Sequence, residues 1–284
     1  MVRRRKFVLR LPSRSLTLGE RTLVMGVLNV TPDSFSDGGL FLDSGEAAAH
    51  AVEMERAGAD IIDVGAESAR PGSRGISARE ELNRLLPVLE RLKGRLRVPI
   101  SVDTSKAEVA EAALQAGAQM VNDISGLRHD PGVAEVARRY RVPLVLMHIR
   151  GTPYDMQKIS PARNIWRDIE TGLRRSVRLA QRAGLRRTQL VIDPGIGFGK
   201  TVAQNLEIIR ELHRLGKFKL PVLIGTSRKT FIGKVLDLAE PERRLWGTAA
   251  TVTAAILNGA HIVRVHDVAE MVQVVRMTDA LLRR

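Results

Sequence analysis

The sequence contains no cysteine, which excludes disulfides, thiolate nucleophiles and cysteine metal sites. That absence fits a reducing compartment, and a cytoplasmic protein is expected. Aromatic residues make up only 4% of the chain, little material for the stacking platforms that hold single-stranded nucleic acid. No apolar run reaches the roughly 18 residues a membrane helix needs, so no membrane partner is expected. Residues 1–18 are basic but lack the apolar stretch of a secretory signal; an organellar transit peptide is the alternative for that segment. The histidines, His50, His129, His148, His213, His261 and His266, are scattered, with no pair at zinc spacing, so a structural zinc is not expected.

What is present is enough for one large core: 284 residues, 44% of them hydrophobic. Single (β/α) barrels commonly run to about 250 residues. The net charge of +14 is concentrated in part at Arg3, Arg4, Arg5, Lys6, Arg10, Arg14 and Arg21. Residues 1–21 therefore read as a basic N-terminal extension and 22–284 as the folded domain. Such charge would attract an anionic partner. Compositional bias is the simpler account, since arginine outnumbers lysine. With no recognisable nucleic-acid module, no nucleic-acid partner is expected.

Short runs, apolar on both faces, fall at 22–28, 60–64, 99–102, 119–121, 142–147, 189–192, 221–224 and 262–265, as buried parallel strands do. Amphipathic stretches such as 46–57, 78–93, 106–116, 163–183 and 204–215 separate them. Eight strands alternating with helices predict an α/β fold, a single (β/α)8 TIM barrel. A doubly wound open sheet is the alternative. Gly58, Gly117 and Gly259 sit between a helix and a strand, where glycine can end a helix in the left-handed conformation.

Polar residues stand where the apolar runs stop: Asn29, Glu67, Asp103, Asn122, His148, Asp193, Ser227 to Lys229, and Arg264 with His266. In a parallel barrel all these ends lie on one face, the face that carries the active site. Any one of them reads as a turn residue; eight converging stretches read as a site. Asp103 and Asp193 can accept from ligand N–H groups, and Asn122 can donate and accept. Arg70, Arg228, Lys229 and Arg264 are donors suited to phosphate. The set fits a nitrogen-rich heterocycle carrying phosphate better than glycoside hydrolysis, which two carboxylates alone would also allow. The glycine-rich run 193–201 resembles a P-loop, but Pro194 occupies the place of the first required glycine. Magnesium needs few protein ligands when phosphate supplies the rest.

Met25-Gly26-Val27-Leu28-Asn29-Val30-Thr31-Pro32-Asp33-Ser34-Phe35-Ser36-Asp37-Gly38-Gly39 resembles the first signature of the dihydropteroate synthases. Ala66-Glu67-Ser68-Ala69-Arg70-Pro71-Gly72 resembles the second. Ser101-Val102-Asp103-Thr104-Ser105-Lys106, Asn122-Asp123-Ile124, Asp193-Pro194-Gly195-Ile196-Gly197-Phe198-Gly199-Lys200, Gly225-Thr226-Ser227-Arg228-Lys229 and Arg264-Val265-His266-Asp267-Val268 follow in order. The resemblance runs from about residue 22 to the C-terminus.

It implies condensation of 6-hydroxymethyl-7,8-dihydropterin diphosphate with p-aminobenzoate, releasing diphosphate, by a homodimer that uses Mg2+. It further implies that Asp103, Asn122, Asp193 and Lys229 hold the pterin, with Asp103 and Lys229 the catalytic pair. Arg70, Arg264 and His266 would grip the diphosphate, beside Ala69. Phe35, Pro71, Phe198 and Ser227 would shape the p-aminobenzoate pocket, and Asn29 would ligate magnesium. The chain departs from the family at Ala69, where threonine is usual, at Ile149-Arg150, and at Gln204, where histidine is frequent. A methyltetrahydrofolate–corrinoid methyltransferase on the same pterin-binding barrel is the rival activity. A catalytically silent binding protein is the other, against which the intact charged set argues.

Overall fold

The computed structural model describes residues 4–31 and 44–282. It opens with an antiparallel hairpin, β1 (Phe7–Arg10) and β2 (Ser15–Leu18), paired Phe7 to Leu18 and Arg10 to Ser15. A parallel sheet follows: β3 (Leu23–Asn29), β4 (Ile61–Gly65), β5 (Ile100–Asp103), β6 (Met120–Asp123), β7 (Leu144–Met147), β8 (Leu190–Asp193), β9 (Leu223–Ile224) and β10 (Ile262–Val265). The strand order 8-7-6-5-4-3-10-9 places β8 and β9 at the two ends. A parallel bridge between Ile192 and Val222 and a 3.0 Å bond from Ile192 N–H to the Pro221 carbonyl join those ends. The sheet is thus a nearly closed barrel and not an open sheet.

Helices cover the outside: α1 (Ser44–Ala57), α2 (Ala78–Leu92), α3 (Ala107–Gln115), α4 (Gly132–Tyr140), α5 (Ile165–Arg182), α6 (Val202–Arg210), α7 (Thr230–Leu236), α8 (Leu245–Leu257) and α9 (Val268–Leu282). Their starts are written in local chemistry. Ser77 accepts from Glu80 N–H at 3.2 Å and Asn164 from Arg167 N–H at 2.9 Å. Both satisfy donors that a helix start leaves open. Gly26 lets the outer helices approach β3, since a Cβ there would meet the Met54 sulfur at 2.9 Å and a Val268 methyl at 3.1 Å. Among the described residues, no helix is long and apolar enough to cross a membrane.

The hairpin was not visible in the sequence reading of 1–21. Leu9 and Leu18 are fully buried and pack with Leu23, Met25, Ile61, Met120, Val145, Val191, Leu223 and Ile262, the apolar layer inside the lower barrel. Arg4 fastens this end by a 2.6 Å ion pair to Asp279 on α9, whose other oxygen accepts from Thr22 N–H at 2.6 Å.

Candidate active site

Side chains alternate along a strand, so each inward residue of the lower apolar layer is followed two positions on by another inward residue. Those second positions carry the polar groups: Ile61 gives Asp63, Met120 gives Asn122, Val191 gives Asp193 and Ile262 gives Arg264. Ser101 and Asp103 follow the same step on β5. The upper barrel layer is therefore charged where the lower one is apolar.

At its centre the Arg264 guanidinium joins two carboxylates. Nε donates to Asp63 at 2.6 Å and Nη2 to Asp103 at 2.7 Å. Asp63 also accepts from Asn122 Nδ2 at 2.9 Å, while its Oδ1 has no partner. Asp63 was missed in the sequence because it does not end its apolar run. A lone carboxylate inside Ile61-Ile62-Asp63-Val64 was the available signal, since a buried charge needs a partner.

Above this layer opens a cleft of about 1460 Å3. It is lined by Asn29, Ala69, Arg70, Pro71, Asp103, Asn122, Asp193, Phe198, Ser227, Lys229, Arg264 and His266. The residues expected to bind pterin, diphosphate, p-aminobenzoate and metal are thus brought to one cleft, except Phe35, which lies outside the described residues. His148 is also absent from that lining. Met147 faces the cleft, and the next residue turns outward to a smaller cavity of about 340 Å3, where His148 is buried with Nδ1 unpartnered.

The electrostatics are those of a partly dry site. Burial pushes the Asp193 carboxyl up to about 6 against the Gly195 N–H, Lys229, Lys200 and Arg264, which hold it down. Burial also raises Asp103 to about 7, opposed by Arg264 and reinforced by Asp63. The Lys229 ammonium lies 4.1 Å from the Phe198 ring centroid, within cation–π range. Burial and Arg264 lower it to about 8. Burial, Arg264, Arg228 and Lys229 depress His266 to about 3, and its Nδ1 lies 3.0 Å from Ser227 Oγ. Arg228 turns away to form two bonds with Asp267, so Asp267 is not the partner of Arg264. Arg70 is exposed at the cleft mouth, and no bond to its guanidinium occurs among the described residues.

The departures from the family pattern have local accounts. Ala69 packs against the apolar group Met147, Ile149, Met156 and Phe198. Arg150 pairs with Asp168 at 2.7 Å and donates to the Gly199 carbonyl at 3.2 Å. Gln204 completes a reciprocal cap with Thr201 and donates to the Ala162 carbonyl at 2.8 Å.

Residues 25–266 match the family described as pterin binding enzyme. The dihydropteroate synthase of Synechocystis is 48% identical over 93% of this chain and 92% of its own, and that of Bacillus subtilis is 48% identical over 95% and 92%. The chain belongs to the dihydropteroate synthases. A solved Clostridium difficile synthase, determined in the presence of pteroic acid, is 46% identical and superposes with a TM-score of 0.88 over 94% of this chain and 99% of that one. The protein is therefore a transferase of folate synthesis that makes dihydropteroate.

As a metal site, the cleft is sparse. Among the described residues, no group of three or more His, Cys, Asp or Glu side chains could hold an ion. Asn29 offers one hard oxygen donor at the end of β3. That fits magnesium, which accepts one or two protein ligands when phosphate and water supply the others.

Proposed function

We propose a division of labour within the cleft. The charged layer takes the pterin ring of 6-hydroxymethyl-7,8-dihydropterin diphosphate: Asp193 and Asn122 bond its amino and ring N–H edge, Lys229 its carbonyl and N5. Arg70, Arg264 and His266, beside Ala69, take the diphosphate. Phe198, Pro71, Ser227 and Phe35 enclose p-aminobenzoate. The observation that carries this reading is the cleft in which Asp103, Asp193, Arg70, Lys229, Arg264 and the Phe198 ring meet. A solved relative in the presence of pteroic acid, the two halves already joined, supports it.

The carbon–oxygen bond between the pterin methylene and the diphosphate breaks first, and the electron pair leaves with the diphosphate. Arg70 and Arg264 offset the charge that develops on it. The carbocation left on the pterin methylene is stabilised by its ring and by Asp103. The neutral arylamine nitrogen attacks that carbon and then loses its extra proton to solvent or diphosphate. No covalent enzyme intermediate forms; catalysis is positioning and electrostatics. Asn29 would hold Mg2+, which would supply charge neutralisation at the departing diphosphate.

The protein works in this reading as a cytoplasmic homodimer on small-molecule substrates alone. The dimer is supported by exposed apolar side chains on adjacent helices: Val235 and Leu236 on α7, Trp246, 79% exposed, on α8, and Met277 and Leu281 on α9. Exposed apolar side chains on neighbouring helices are the material from which an association surface is built.

The test is diphosphate release measured with the pterin diphosphate, p-aminobenzoate and Mg2+ together and with each omitted. Release that depends on all three is expected. Release independent of p-aminobenzoate would overturn the assignment.

A further inference from the structure

Lys200 ends the glycine-rich loop after β8, close enough to Asp193 and Asp168 to feel their charge, yet it forms no ion pair among the described residues. Its ammonium donates instead to three backbone carbonyls, those of Gly195 at 2.8 Å, Phe198 at 3.0 Å and His148 at 3.2 Å. Two of these belong to the loop and the third to the residue that follows β7. A tetrahedral ammonium can aim three N–H groups at three converging carbonyls, whereas a side-chain amide has only two N–H donors.

The surroundings show how closely that seam is fitted. Gly195 has φ +69, and a Cβ on it would lie 1.9 Å from the His148 carbonyl oxygen. Arg150 holds the Gly199 carbonyl from the same side. Between these two anchors stands Phe198, buried, with its ring 4.1 Å from the Lys229 ammonium.

We propose that Lys200 is a positioning residue for the p-aminobenzoate side of the cleft: by stapling the 194–199 loop to the end of β7, it fixes the Phe198 ring against Lys229. This rests on the functional reading above. Lys200 touches no reacting atom; it acts through Phe198. Its charge has a second consequence. Asp193 faces Lys200, Lys229 and Arg264, all of which favour its ionised form, and Lys200 in turn faces Asp193, Asp168, Arg150 and Lys229.

The experiment compares wild type with Lys200→Met, which keeps the length of the stem and removes the three donors. The KM for p-aminobenzoate should rise roughly ten-fold, the scale of one charge-assisted bond. The KM for pterin diphosphate and kcat should change less than about three-fold by the same scale. The acid limb of the kcat/KM profile should move to higher pH, because Asp193 loses one of its three cations. Phe198→Leu should raise the same KM without moving that limb. Lys200→Gln, which keeps a donor for part of the staple, provides a milder variant with an intermediate KM. A lowered melting temperature with KM for p-aminobenzoate unchanged, in either Lys200 variant, overturns the proposal, as does an equal rise in both KM values. A wild type that releases no diphosphate with both substrates overturns the functional reading, and the proposal with it.

Discussion

Nη2 of Arg264 donates to Oδ2 of Asp103 at 2.7 Å. The arginine expected to grip diphosphate is thus also the counter-ion of the carboxylate expected to stabilise the pterin cation. The two roles are coupled through one guanidinium, which is engaged by Asp63 through Nε as well.

We predict that Arg264→Ala damages more than diphosphate handling. Removing one partner leaves two carboxylates facing each other, and breaking a buried pair costs on the order of 3 kcal/mol. Turnover should fall, melting temperature should fall, and affinity for a bare pterin lacking phosphate should fall with them. Calorimetry with such a pterin is the check: unchanged affinity would mean that Arg264 serves diphosphate alone.

The second prediction concerns Asp193, which burial holds near 6, above its ordinary value of 3.8. A carboxyl whose folded pKa is raised contributes stability that is intact below about 4 and lost as pH rises through about 6. Asp193→Asn stays neutral throughout. At pH 7 to 8 it should therefore be more stable than wild type, by up to ~3 kcal/mol for a rise of about two pKa units, with the advantage gone near pH 4. It should also bind pterin ~1.5–3 kcal/mol more weakly, the scale of a charge-assisted bond. A variant no more stable than wild type at pH 8 would contradict the burial argument.

How much of this was readable beforehand depended on phase. The barrel was legible because its eight runs are apolar on both faces, as strands between a core and a helix layer must be. Asp103, Asn122 and Asp193 were legible because each ends its run. Asp63 was not, since Val64 and Gly65 follow it and its inward direction depends on the register with β3 and β5. His148 ended its run and misled, because Met147 holds the inward phase. The hairpin was hidden by its size. Two four-residue strands with Arg10 and exposed Val8 among them carry little periodicity, and their reason for folding is the barrel floor that Leu9 and Leu18 cover.

His266 gives the third prediction. Depressed to about 3 by burial and three cations, it meets an incoming diphosphate as a neutral imidazole. Diphosphate adds negative charge beside it, and a proton should be taken up on binding near pH 6 to 7. Calorimetry of diphosphate binding in two buffers of different ionisation enthalpy reads this uptake directly. His266→Gln should abolish it; identical heats for wild type in both buffers would show that the imidazole stays neutral.

For the floor of the barrel we predict that Leu18→Ala, at a fully buried position, destabilises the protein by about 2–4 kcal/mol, as core truncations do, while both KM values stay near wild type. The cavity is made at the opposite end from the cleft. Chemical denaturation and steady-state kinetics on the same variant decide it; a large change in either KM would mean that the floor reaches the site.

The seam between β8 and β9 sets where the barrel breathes. Seven of its eight junctions are ladders of two or more residue pairs, but this one is a single bridge at Ile192 with a bond to Pro221. Asp193 stands on one lip and Ser227 and Lys229 lie just past the other. A pterin that bonds Asp193 and Lys229 at once is therefore a clasp across the weakest joint of the cylinder. Amide hydrogens at Ile192 should exchange with deuterium sooner than those of β4 in the free protein, and slow markedly once pterin is bound.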